Sequence, residues 1–127
     1  MTTDAVVLTV PAEASHCALI RTAAAAVTAR ADFTIAAIDD LKLAVDEACA
    51  LLLARAAPEG RLRAAFTSRG PQVAVDLSVP TLTARIPGTD SIHWLLISAL
   101  VDTVESELEA GILHLRLTAH GIGAPAL

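Results

Sequence analysis

Gln72-Val73-Ala74-Val75-Asp76-Leu77-Ser78-Val79 is the stretch on which the fold turns. Val73, Val75, Leu77 and Val79 alternate with Ala74, Asp76 and Ser78, and side chains of a strand point to opposite faces in turn. One face of this strand is therefore apolar and the other meets water, the signature of an antiparallel sheet covered on one side. Just upstream, Leu62 to Thr67 is a second β-rich run, and Ser68-Arg69-Gly70-Pro71 between the two reads as the turn of a hairpin. Before it, Pro58-Glu59-Gly60 stops a long helical pattern. That helix is expected from about Ile35 to Ala56, with Thr34 as its cap. Ile38, Leu41, Val45, Ala48 and Leu52 form its apolar stripe, and Asp39, Asp40, Lys42 and Asp46 lie off it.

Further out, Cys17, Ile20, Ala24 and Val27 recur at helical steps within an alanine-rich segment from about Ala14 to Ala31. Ala5 to Val10 is a β-rich first strand that ends at Pro11. Downstream, Pro80 to Gly88 is a loop or weak strand, and Asp90 or Ser91 caps a third helix expected to run to about Glu109. Ile92, Leu95, Leu96, Ala99, Leu100 and Val104 would be its inner face, and Asp102, Glu105, Glu107 and Glu109 its acidic surface. Gly111 would close that helix before a last strand, Ile112 to Thr118. The order β-α-α-β-β-α-β predicts an α+β two-layer sandwich with helices on one face of a mixed, mostly antiparallel sheet. A single domain is expected over residues 1–127.

Composition narrows the function classes. Of the residues, 54% are apolar and 18% charged, which excludes a disordered chain. The uncharged runs Ser91 to Val101 and Leu117 to Leu127 are well short of the ~18–20 residues of a membrane span. Residues 1–10 hold no Lys or Arg, which argues against a secretory leader and for a cytoplasmic protein. A net charge of −5 argues against direct nucleic-acid binding and suits a basic protein partner. Cys17 and Cys49 lie in helical patterns without a CxxC spacing and are expected to be reduced packing residues.

Few side chains announce chemistry. His16, His93, His114 and His120 are scattered without HxxxH or HExxH spacing, so no metal site is expected. No G-x-S-x-G elbow, GxxxxGK[ST] loop or GxGxxG turn is present. Asp46-Glu47 is the most suggestive acidic pair, since a carboxylate at a buried boundary can become a general base. Asp39-Asp40, near the same helix's start, suits the helix dipole.

The segment Asp40-Leu41-Lys42-Leu43-Ala44-Val45-Asp46-Glu47-Ala48-Cys49 resembles the helix that opens the nucleotide site of RsbW/SpoIIAB-type anti-sigma factors, members of the GHKL (Bergerat) histidine-kinase-like ATPase superfamily. Val10-Pro11-Ala12 with Leu19-Ile20-Arg21, and Leu96 to Val104 followed by Gly111 and Leu113 to Leu117, are similar to that family's first and last elements. The resemblance runs over about residues 5–119 and, through Trp94 and the short middle loop, is greatest to the mycobacterial branch. It implies a GHKL-like fold, an alternative sigma factor and an anti-anti-sigma factor as partners, and a homodimer. It also implies that Arg21 touches both partners, and Glu13, Arg21 and Arg30 are the expected shared interface. An uncovered edge strand at residues 5–10 points to pairing of two copies as well.

The same comparison marks departures. Members with kinase activity carry a Mg²⁺-binding asparagine four residues after the helix glutamate, and here Glu47 is followed by Leu51. An alkyl chain offers no oxygen to a cation that demands near-octahedral oxygen ligands. The glycine box after the strand is replaced by Asp76-Leu77-Ser78-Val79-Pro80-Thr81, which leaves Asp76 as the candidate adenine contact. The phosphate lid is reduced to Ile86-Pro87-Gly88-Thr89-Asp90-Ser91, where Asp90 would repel a triphosphate. The expectation is a sigma-sequestering protein without a cofactor. The alternative is an ATP- and Mg²⁺-dependent serine/threonine kinase of the anti-anti-sigma factor, with Glu47 as base and Asp76 on the adenine.

Overall fold

Thr34 caps the central helix as its sequence predicts: its hydroxyl accepts from the Ala37 amide at 3.1 Å. A computed structural model describes residues 5–121. The elements are β1 (Ala5–Pro11), a 3₁₀ turn (Ala14–His16), α1 (Cys17–Arg30), α2 (Ile35–Leu53), β2 (Arg61–Arg69), β3 (Gln72–Pro80), α3 (Ile92–Leu100), β4 (Thr103–Glu109) and β5 (Ile112–His120). The five strands form one sheet in the order β1-β2-β3-β5-β4. Every neighbouring pair is antiparallel, so the parallel component expected of a mixed sheet is absent among the described residues.

The core lies between this sheet and the helices. Leu62, Ala64 and Phe66 of β2, Val73, Val75, Leu77 and Val79 of β3, and Leu113, Leu115 and Leu117 of β5 are buried on the covered face. Opposite them stand Ile20 and Ala24 of α1, and Leu41, Val45, Ala48, Leu51 and Leu52 of α2. Ala24, Ala44 and Ala48 have no exposed surface, and such small side chains let helix backbones approach closely. Thr28, also buried, returns its hydroxyl proton to the Ala24 carbonyl at 2.7 Å, so it adds no unpaired polar group. No helix among the described residues is long and apolar enough to cross a membrane.

The long third helix is the main correction. It stops at Leu100, and residues Thr103 to Glu109, read above as its acidic end, form edge strand β4 instead. The local pattern supports either element, because glutamate favours helices while Val104, Ser106 and Leu108 alternate with Thr103, Glu105, Glu107 and Glu109. The sheet decides it: β4 pairs with β5 from Thr103 opposite Thr118 to Glu109 opposite Ile112. Ala110 and Gly111 connect them with φ of 53° and 79°, the two-residue turn whose twist matches that of a hairpin. Gly111 is thus a hairpin residue and closes no helix. The inner face of α3 differs too. Ser91 caps it through the Trp94 amide, and Ile97 is its buried residue, flanked by half-buried Trp94 and Leu100. Ile92, Leu95 and Leu96 are exposed. An unbroken apolar run does not specify which stripe turns inward.

Candidate functional site

Asp46 and Glu47 are consecutive on α2, so they diverge by about 100° around the helix axis. Each meets a different neighbour. Arg21 of α1 donates from Nη1 to both Asp46 oxygens, at 3.2 and 3.0 Å. His93 of α3 holds the Glu47 carboxylate, Nδ1 to Oε2 at 2.5 Å. The two acids therefore tie α2 to the helices on either side. Neither pair is sealed from water, with the Arg21 and Asp46 side chains 40% and 33% exposed.

One turn beyond Glu47, Leu51 is 2% exposed and belongs to the apolar core. Position 51 thus faces packing atoms. Among the described residues, no group of three His, Cys, Asp or Glu side chains could hold a metal ion.

Asp76 lies elsewhere. It projects from the sheet face opposite the helices, where it accepts from His114 Nδ1 at 3.0 Å and stands 3.6 Å from Arg116 Nε. The structure therefore does not bring Asp76 and Glu47 to one site. Strand parity sets it apart from Glu47: Asp76 shares its face with Ala74 and Ser78, while Val75 and Leu77 fill the core.

The expected partner surface is also spread out. Glu13 is exposed at the start of the 3₁₀ turn, 3.6 Å from His16. Arg21 is half-buried on Asp46, and is not the freely exposed side chain its alanine-rich surroundings suggest. Arg30, exposed in the last turn of α1, is nine residues on and so about 180° around the helix from Arg21. Between them Ala18, Leu19, Thr22, Ala26 and Ala29 form an exposed face of low relief.

Pairing of the histidines was not legible in the sequence. His16, His93, His114 and His120 meet Glu13, Glu47, Asp76 and Asp102 respectively. Arg116 joins Asp76 to Glu107, and hydrogen bonding to Glu107 raises its already high pKa. Parity along β3, β4 and β5 would have placed Asp76, Arg116 and Glu107 on one face of the sheet once β4 was recognised as a strand. The cysteines are free thiols on facing helices, and burial pushes the pKa of both up.

No family model matches the sequence. Among curated proteins, it is 35% identical over 102 residues to the anti-sigma-F factor RsbW of Mycobacterium tuberculosis, in both strain H37Rv and strain CDC 1551 / Oshkosh. The chain is homologous to the RsbW anti-sigma factors. The match takes in 80% of this chain and 61% of the relative, so the chain spans under two-thirds of that protein's length. Among solved structures, the RsbU and RsbW domains of Rv1364c from Mycobacterium tuberculosis superpose with a TM-score of 0.68 at 17% identity, over 93% of this chain and 32% of that one. At that identity the likeness is one of fold, and the fold is the GHKL-like sandwich of an RsbW domain.

Proposed function

We propose that the chain is an anti-sigma factor that sequesters an alternative sigma factor in the cytoplasm and is released by an anti-anti-sigma factor competing for the same surface. The observation that carries this reading is the 102-residue likeness to an anti-sigma factor. Sequestration without phosphate transfer is favoured by the local geometry. Glu47 is engaged by His93, Leu51 is core, and Asp76 is across the sheet. Partner choice then follows from relative affinity and protein levels, with no phosphorylation step. The low-relief face of α1 between Arg21 and Arg30 is the proposed contact, and the protein's acidic charge suits basic sigma segments through orientation and rate.

Transcription reconstituted with RNA polymerase and the sigma factor that co-purifies with the chain tests this. Inhibition should be equal with and without Mg²⁺·ATP, and the anti-anti-sigma protein should relieve it unphosphorylated. A strict ATP requirement, or label transferred from ATP to the anti-anti-sigma protein, would establish the kinase instead.

A further inference from the structure

The third helix carries its apolar stripe on the outside. Ile92, Leu95, Leu96 and Ala99 recur at the spacing that puts side chains on one helical face. That face lies about 180° around the axis from Ile97, the buried residue of α3. Ile92 is 64% exposed and Leu95 54%, and Leu96 and Ala99 are open to solvent beside them. An amphipathic helix ordinarily turns such a stripe onto its own core. Here α3 leans chiefly on α2 through its other side, and nothing among the described residues covers the stripe. A contiguous exposed apolar face of this kind marks an interaction site.

The borders of the stripe are acidic. Asp90 precedes the Ser91 cap, and Asp102, paired with His120, follows the last turn. On the Leu96 side stands Glu47 of α2, held by His93. Asp40 shares the Glu47 face of α2, two turns earlier. Among the described residues, Asp40 and Asp90 have no ion-pair partner, so their charge is uncommitted. No Lys or Arg lies on α3. Lys42, the basic residue of α2, sits about 140° around that helix from Glu47, and Arg85 is in the loop ahead of α3.

We propose that this stripe docks an amphipathic helix of the sequestered sigma factor, one whose own apolar stripe is flanked by Lys and Arg. The inference rests on the sigma-factor reading above and adds a second contact, on the far side of α2 from the α1 face. A helix face that presents anchors at this spacing is read by another apolar surface of matching shape, and Ala99 lets a partner helix approach closely. Charge selects the occupant. A basic helix meets carboxylates at both ends of the stripe and along one flank. An acidic helix is repelled there, as is an anionic lipid surface, which attracts amphipathic helices through basic residues that α3 lacks. A second copy on the same stripe would bring two acidic borders together.

The full chain and its co-purifying sigma factor supply the test, with circular dichroism to verify folding. L95K/L96K, at two exposed positions, should bind the sigma factor at least about ten-fold more weakly than wild type, as loss of an interface anchor does. L95E/L96E removes the same apolar contact but keeps the sign of the surface, and should lose less. A benzophenone side chain at position 95 should cross-link to a sigma-factor segment with apolar residues at helical spacing and Lys or Arg beside them. Wild-type affinity in L95K/L96K, equal losses in the two variants, or a cross-link to an acidic segment or to another copy would overturn the docking site and leave sequestration standing. A wild-type chain that binds no sigma factor would overturn both.

Discussion

Replacing Leu51 by asparagine introduces, at a core position, the residue type that the resemblance expects of a member with kinase activity. Leu51 is 2% exposed and packs in the same apolar cluster as Leu52 and Val45. Removing a fully buried leucine side chain forfeits about 1.5–3 kcal/mol of transfer free energy. An amide left without partners in that space adds about 1–3 kcal/mol. The variant should therefore lose about 2.5–6 kcal/mol, a large part of the ~5–15 kcal/mol that holds a domain together. For a chain of this length the melting temperature should fall by roughly 10–20 °C. Calorimetric melting measures it, with Leu51→Met as the volume-conserving control, expected within ~1.5 kcal/mol of wild type. The folded fraction should transfer no phosphate from Mg²⁺·ATP, because Glu47 is still held by His93 and Asp76 still faces the other way. If Leu51→Asn melts within a few degrees of wild type, the side chain at 51 reaches water and the packing argument fails. Phosphate transfer by the variant would show that the remaining site elements suffice.

Arg21→Ala should cost about 0.5–1 kcal/mol of stability, the range for an ion pair open to solvent, and Asp46→Ala a similar amount, both read by urea unfolding. Arg21→Ala should also weaken sigma binding by about 1–2 kcal/mol or more while Asp46→Ala does not; equal losses would make Arg21 a link between helices and no contact. Thr34→Ala removes the α2 cap and should cost about 1 kcal/mol in the same assay, with no change indicating that water replaces the hydroxyl. Burial raises the pKa of both thiols, which keeps them protonated and slow, so a disulfide reagent at pH 8 should label Cys17 and Cys49 far faster in denaturant than in the native state; equal rates would refute it.

Sequence by itself determined the elements whose signals are local. Alternation fixed β3 and β5, the Thr34 cap and the Leu41–Val45–Ala48–Leu52 stripe fixed α2, and Pro58 with Gly60 fixed its end. The homology was legible as well, in the ten residues from Asp40 to Cys49. What only the tertiary structure decided depends on distant partners. Residues 103–109 satisfy a helix by propensity and a strand by alternation, and the free edge of β5, with its row of unpaired backbone groups, selects the strand. Sheet parity turned Asp76 away from Glu47 and set it beside His114 and Arg116. Likewise, Arg21 finds Asp46 at 25 residues' separation and His93 finds Glu47 at 46. Such pairs have no period along the chain, because their spacing is set by the topology that packs three helices against one face of the sheet.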